Sequence, residues 1–465
     1  MSRIHVIGAG LAGLSAAVTA TGAGRAVTLY EATAAGGGRC RSYYDSELEM
    51  RLDNGNHLLL SGNKSAFAYI DEIGARDRIT GPRHPVFPFM DLKTGREWTL
   101  RPNRGRIPWW VLFADRRVPK ATAVEHLAIR KLGREWDDTV MTETMRHSQL
   151  YWLLLEPLSV AALNTRPHEA LACLFGEVLR ETLLKGGKAC LPRVPKVGLS
   201  EALVDPAIET LRQRGADILF NRRITGLIVE HGRVTALGTT DGPVRLEADD
   251  SVVLAVPAWI AGELLPNITV PNAFESILNV HFKIAVKPEP DVAEAGFIGL
   301  VNGVAEWIFI RPDHISVTVS AANKMIDRPA DDLAWAVWRN VAKALDLVGN
   351  RATKVPPYRV IKERRATVVA NVAQEERRPE ARTDIENLVL ATLAQAINST
   401  SATAPSNISR AGRTSPTSCS CSGTMVAPQP ASSAGYCCCR RREMVSISAC
   451  ACGSVIPGFR RAMTE

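Results

Sequence analysis

The chain has 465 residues, 46% hydrophobic and 22% charged, with a formal net charge of +8. That length exceeds one ordinary domain, and that composition supplies a sizeable core, which excludes a wholly disordered or fibrous protein. Seven arginines and two glutamates lie beyond Ala391, so the first 391 residues carry only +3, which gives no warrant for a nucleic-acid partner.

In chain order, residues 3–8 form an apolar strand, Leu11 to about Gly24 a helix, and "AVTLYEA" (26–32) a second strand, together a βαβ unit. Residues 66–79 read as helical, and from 81 to 110 a Pro-, Trp- and Arg-rich stretch leaves the first domain. Helical patterns fill much of 121–186, and a helix is expected at 200–214. Short strands follow to 259, a strand-rich block covers 278–322, a helix spans 330–346, and "NLVLA" (387–391) returns to the first sheet. Parallel strands at both ends, with different material between, predict a discontinuous nucleotide-binding domain (1–80, 195–260 and 355–391). The inserted substrate domain takes 81–194 and 261–354. No apolar run approaches the roughly 18 residues of a membrane span. The first strand starts too early for a signal peptide, and Cys40, Cys173 and Cys190 lie far apart, so a cytoplasmic chain is expected.

Gly8, Gly10 and Gly13 follow the first strand and open the first helix as G-x-G-x-x-G. The three permit a tight turn, close approach of backbone to a pyrophosphate, and close packing of helix on strand. The helix N-terminus adds unpaired N–H groups and partial positive charge. Glu31 stands 21 positions after Gly10, where a carboxylate can accept from ribose hydroxyls. "GGGRCRS" (36–42) then brings Gly37 and Gly38 near the same ligand and gives Arg39 a pyrophosphate to pair with. A nicotinamide dehydrogenase has no need of this second loop, which favours FAD; the bland readings are a surface turn and a solvated strand-end carboxylate.

With these motifs the chain resembles the flavin amine oxidase and phytoene desaturase superfamily, and within it the hydroxysqualene dehydroxylases, the squalene-associated FAD-dependent desaturases of bacterial hopanoid synthesis. The resemblance rests on "DNGNHLLLSGN" (53–63), "TLRPNRGRIPWW" (99–110), "ALNT" (162–165), "VLRETLLKGG" (178–187), "VNGVAEWIF" (301–309) and "QEERRPEARTDIENLVLA" (374–391). It implies an α/β fold with a Rossmann-type FAD-binding domain and an inserted α+β substrate domain. It also implies FAD as cofactor and reductive removal of the hydroxyl of hydroxysqualene, an isoprenoid lipid, to give squalene. By family pattern, Gly8, Gly10, Gly13, Glu31, Gly37, Gly38 and Arg39 hold the ADP half of FAD. Asn56, His57 and Leu58 lie near the isoalloxazine, and Ile224 contacts the adenine. A carotenoid-type desaturase or an amine oxidase of the same superfamily is the alternative activity. The electron donor stays unknown.

Replacing C–OH by C–H needs a hydride and a proton for a poor leaving group. His57 and Asp53 are the candidate proton donors; each also reads as a structural residue, a satisfied histidine or a loop brace. "RGRIPWWVLFADRR" (104–117) sets Trp109 and Trp110 between basic residues. It reads either as a tunnel mouth in peripheral contact with the inner face of the membrane, or as core packing beside surface arginines.

Beyond Ala391 the composition changes. Thirteen serines fall among 74 residues, and seven cysteines lack C-x2-C spacing with no histidine near, so no metal site is expected and a disordered C-terminal tail is. The superfamily continues this last strand into a Gly-Asp turn and a TGxPATIEGA-like helix against the flavin; here "TLAQAINSTSATAP" stands instead. We read this as a change of reading frame, leaving open an inactive chain that lacks its C-terminal flavin-contacting motif.

Overall fold

The computed structural model describes residues 2–133, 139–141 and 148–391. Strand β1 (Arg3–Ile7) runs through the glycine turn into α1 (Leu11–Gly22) and back along β2 (Ala26–Tyr30). Strands β3 (Phe87–Asp91) and β4 (Arg96–Leu100) open a second sheet, followed by helices α2 (Glu156–Leu163), α3 (Ala172–Glu181) and α4 (Asp205–Gln213). Strands β5 (Asp217–Leu219) and β6 (Ser251–Leu254) return to the first sheet. The chain then lays down β7 (Phe274–Phe282), β8 (Phe297–Val301), β9 (Trp307–Ile310) and β10 (Ile315–Val319) in the second. Helix α5 (Ala330–Ala344), β11 (Tyr358–Val368) and β12 (Leu388–Leu390) complete it.

The first sheet is parallel throughout, in the order β5-β2-β1-β6-β12. Its strands are continuous apolar runs because both faces are covered. Helix α1 consists largely of Ala, Gly and small polar residues and packs close to the sheet, with α4 beside it. The last strand is in register with the fold's centre, Val253 opposite Val389. The sequence thus places β12 correctly, although it is remote along the chain.

The second sheet has seven strands in the order β11-β7-β10-β9-β8-β3-β4. Helix α5 covers one face with Leu333, Val337, Trp338 and Val341, spaced as an amphipathic helix requires. Asp331 and Asp332 in its first turn and Lys343 in its last complement its dipole. Helices α2 and α3 cover the other face with a second apolar cluster around Phe89, Phe297 and Trp307. Within 355–391, β11 pairs with β7 in this second sheet and β12 with β6 in the first. Arg359 on β11 reaches the buried Asp45 carboxylate (2.6 Å), tying the sheet to the hairpin after the second glycine loop.

Parts of the helical pattern at 121–186 fall on 134–138 and 142–147, outside the described residues, as does the tail from residue 392.

Candidate functional site

Two cavities meet where the sheets approach each other. The first lies over the glycine turn and encloses about 1430 Å³ of empty space out to its mouth. Gly8 has φ +102°, and a Cβ there would stand 2.5 Å from Ala255 O. A Cβ on Gly13 would stand 1.8 Å from Gly8 O, so helix and turn can touch only through glycine. Gly10 differs: a Cβ there would meet nothing within 4 Å, because the residue faces the cavity. No side chain caps α1 at Gly10, and the first N–H groups of this 12-residue helix lie at the cavity floor.

The second loop closes the other side. Gly37 N–H donates to Ala9 O (2.7 Å), and Gly37 and Gly38 both have positive φ. Glu31 lines the cavity with its carboxylate folded onto the turn, accepting from Ala9 N–H (2.9 Å) and from Thr33 N–H (2.9 Å) and Oγ1 (2.8 Å). Ile224, Arg222, Val256, Trp259 and Ala391 contribute to the rest of its wall.

The second cavity is mostly apolar, with about 1540 Å³ of empty space out to its mouth. Its apolar length runs between α2, α3 and the second sheet, past Leu154, Leu158, Phe175, Leu179, Phe89 and Trp307. Trp307 is buried there, its indole N–H without a hydrogen-bond partner. The polar end faces loop 54–58. Asn56 Nδ2 donates to Ser316 Oγ (2.8 Å) and Thr318 Oγ1 (2.9 Å), and Thr318 in turn donates to Asn279 Oδ1 (2.9 Å). Asn164 holds the far edge from a left-handed position at the end of α2 (φ 48°), donating to Thr367 Oγ1 (2.9 Å) and accepting from Ala321 N–H (2.6 Å).

Arg39 and Glu363 line both cavities and so mark their junction. The Arg39 guanidinium donates to the carbonyl oxygens of Arg365 and Ala366; burial lowers its pKa, and Glu363 opposes that shift.

The predicted residues divide accordingly. Gly8, Gly10, Glu31, Gly37, Gly38, Arg39 and Ile224 share the first cavity, with Gly13 behind the turn. Asn56, His57 and Leu58 line the second. Asp53 lines neither: its Oδ1 accepts from Ser42 Oγ (2.7 Å) and Leu199 N–H (2.9 Å), while burial raises its pKa. Trp109 and Trp110 part company as well. Trp110 is buried and packs edge-on against His126, whereas Trp109 is 44% exposed.

Sequence reasoning gave no role to Asn279, Thr318, Ser320, Glu363 or Thr367. A signal existed in "ISVTVSAA", where Ser316, Thr318 and Ser320 alternate with apolar residues and so share one face of a strand. Glu306 was missed with them. It accepts from Ser320 N–H (2.7 Å), and burial pushes its carboxyl up to about 7.

A family model described as flavin containing amine oxidoreductase matches residues 11–402. Hydroxysqualene dehydroxylase of Zymomonas mobilis is 39% identical over 392 residues, covering 84% of this chain and 93% of that one. The enzyme of the same name from Rhodopseudomonas palustris is 40% identical over 391 residues, covering 83% and 91%. Among solved structures, a putative protoporphyrinogen oxidase from Exiguobacterium superposes with a TM-score of 0.61 at 18% identity, over 85% of this chain and 94% of that one. At that identity the likeness concerns the fold.

Proposed function

The chain belongs to the flavin-containing amine oxidoreductase family and is homologous to the hydroxysqualene dehydroxylases; from that premise we propose that it reductively removes the hydroxyl of hydroxysqualene, giving squalene. The observation that carries the reading is the form of the second cavity. A long apolar wall ends in a polar patch, and that patch abuts the cavity of the glycine turn at Arg39 and Glu363. A lining that is apolar along its length and polar at one end suits a long hydrocarbon bearing one polar group.

Family membership implies a flavin, and the first cavity fits FAD. The open cradle at Gly10, the uncapped helix N-terminus and the crossing second loop would receive a pyrophosphate. Glu31 would exchange its bonds to the turn for ribose hydroxyls, and Ile224 and Trp259 would flank the adenine end. When bound and reduced, the flavin supplies the hydride. The chain's own residues do the rest. The apolar wall excludes water, and the Asn56–Thr318–Asn279 network fixes the polar end. His57 on the wall is a proton-donor candidate, and Asp53 braces the loop that carries it. In domain terms the parallel sheet holds the cofactor and the seven-stranded sheet with α2 and α3 holds the substrate.

Substrate would arrive from a bilayer. Among the described residues no helix is long and apolar enough to cross one. Ile107, Trp109, Leu112 and Phe113 are nevertheless exposed in one short stretch. Arg104, Arg106, Arg116, Arg117 and Lys120 surround them against the single acid Asp115. The Arg116 guanidinium stands 5.1 Å from the Trp109 ring. Such a patch suits the headgroup region of an anionic leaflet. Pro102 lines both the substrate cavity and the surface pocket beside this patch.

One observation favours a chain of weak flavin affinity. Ala391 lines the first cavity and donates its N–H to Leu254 O (2.9 Å), so the change of composition begins at the cofactor wall. Flavin absorbance of the purified protein, followed by product analysis with hydroxysqualene and reduced flavin, tests the proposal. Squalene formation is expected. A flavin-loaded protein that leaves the alcohol intact, or that oxidises amines or desaturates polyenes instead, refutes the activity, and a colourless one favours the weak-affinity reading.

A further inference from the structure

Resting on that reading, we propose that Glu306 supplies the proton taken by the departing hydroxyl, passing it through the Ser320 hydroxyl on the wall of the substrate cavity. The chemistry demands such a group. As the C–O bond breaks, both of its electrons go to oxygen, carbon takes a hydride from the reduced flavin, and oxygen must take a proton to leave as water. Hydroxide leaves poorly, so the proton has to be in place during cleavage.

The geometry points to Glu306 for three reasons. Its carboxylate accepts from the Ser320 N–H (2.7 Å), and the hydroxyl of the same residue is close enough to lower its pKa. Ser320 is 3% exposed and lies on the cavity wall, continuing the polar row of Ser316 and Thr318 that Asn56 engages. Burial pushes the Glu306 carboxyl up to about 7, so near neutral pH it exists in substantial part as the acid. The charged groups facing it are Arg166, which lowers that value, and Glu156, which raises it.

The same neighbourhood offers a supply. Arg166 is exposed and donates to Ala321 O (3.3 Å). Glu156 and Glu275 near it are both raised by burial, and one Glu275 oxygen is buried with no hydrogen-bond partner. Protonatable carboxyls are therefore coupled to an exposed arginine whose side chain is bonded next to Ser320, at the end of the polar row. Asp53 offers no comparable path, being bonded to Ser42 and Leu199 off the cavity wall.

Glu306 also braces Ser320, and the test must separate the two roles. Glu306→Gln keeps an oxygen for the Ser320 N–H but has no dissociable proton. The variant is expected to keep its melting temperature, its flavin content and a KM within about twofold, while kcat falls by about 10²-fold or more. In the wild type kcat should decline as pH rises through about 7, because the acid form is the one required. That limb should vanish in Glu306→Gln and persist in Glu306→Asp. The acetate ester of hydroxysqualene, whose oxygen leaves as carboxylate without a proton, should be processed equally by wild type and Glu306→Gln. Infrared difference spectra of the flavin-free protein should show a protonated carboxyl titrating near neutral pH, absent from Glu306→Gln. A wild-type rate or an unchanged alkaline limb in Glu306→Gln overturns the proposal, as does equal slowing on alcohol and ester, or absence of the carboxyl band. A wild type that leaves hydroxysqualene untouched overturns the functional reading instead, and the infrared experiment still decides the state of Glu306.

Discussion

Replacing Gly10 by alanine adds one methyl group at a point where the protein leaves room for it. The residue sits at φ −70° and ψ 174°, ordinary extended backbone, and its Cβ would meet nothing within 4 Å. As the N-cap of α1 it loses about 0.5–1 kcal/mol on becoming alanine. Restriction of the unfolded chain returns about 0.4–1 kcal/mol, so the net change in stability is within about 0.5 kcal/mol of zero. The empty space is, however, the cradle in which a pyrophosphate would lie against backbone. Displacing it by even one carbon radius should weaken binding at least tenfold, or about 1.4 kcal/mol. Gly13→Ala is the control of opposite kind: its Cβ would stand 1.8 Å from Gly8 O, and relieving that overlap costs about 1–3 kcal/mol or more in folding. Thermal unfolding without flavin, paired with titration by FAD and by ADP, reads the two effects separately. If Gly10→Ala bound both ligands as the wild type does, or melted lower without them, the assignment of this cavity would be refuted.

The Trp109→Ala, Phe113→Ala double variant should lose most binding to anionic vesicles in flotation, with melting temperature unchanged because both rings are about half exposed; equal flotation would reject the membrane patch. Ala161→Phe places a ring in the apolar cavity from α2 and should raise KM for a C30 substrate tenfold or more while leaving FAD affinity alone; an unchanged KM would mean that substrate lies elsewhere. Asp45 is held below the usual carboxylate range by its hydrogen bond to Arg359, with the N–H groups of Leu48 and Glu47 assisting. A depressed folded-state pKa gives stability that is complete above the unfolded value, about 3.9, and lost as pH falls through the folded one. Asp45→Asn should therefore cost about 1–2 kcal/mol at pH 7, discounted for the partly exposed arginine, and converge on wild type once pH falls below the depressed folded-state value. Parallel denaturation curves with a constant offset at all pH values would contradict this.

The cofactor end was legible in the sequence because its chemistry is local. Gly8, Gly10 and Gly13 lie within six residues, and the strand before them and the helix after them are set by short-range pattern. The substrate end is assembled from distance. Asn56, Asn164, Thr318 and Thr367 meet across the seven-stranded sheet, and no spacing along the chain announces that meeting. The same cause explains the tryptophans: Trp109 and Trp110 look alike in sequence, and only the packing of Trp110 on His126 decides which of them is core. Asp53 and Glu306 show the limit for acids. Both are raised by burial, but Ser320 connects one of them to the cavity, whereas Ser42 and Leu199 keep the other away from it.

The change of composition after Ala391 acquires a location from this geometry. Leu388 and Leu390 are buried, β12 pairs with β6 over three residues, and Ala391 closes the register through Leu254 O. Among the described residues, these contacts hold the last strand in the sheet. Ala391 also stands on the cofactor wall. Substituting a Gly-Asp turn and a short glycine-started helix for the residues after Ala391 would add a second helix N-terminus facing the phosphates. The expected result is slower flavin dissociation, by tenfold or more, at an unchanged flavin-free melting temperature. Equal flavin retention by the graft and the native sequence would show that the wall is already complete at Ala391, and that "TLAQAINSTS" deprives the protein of nothing.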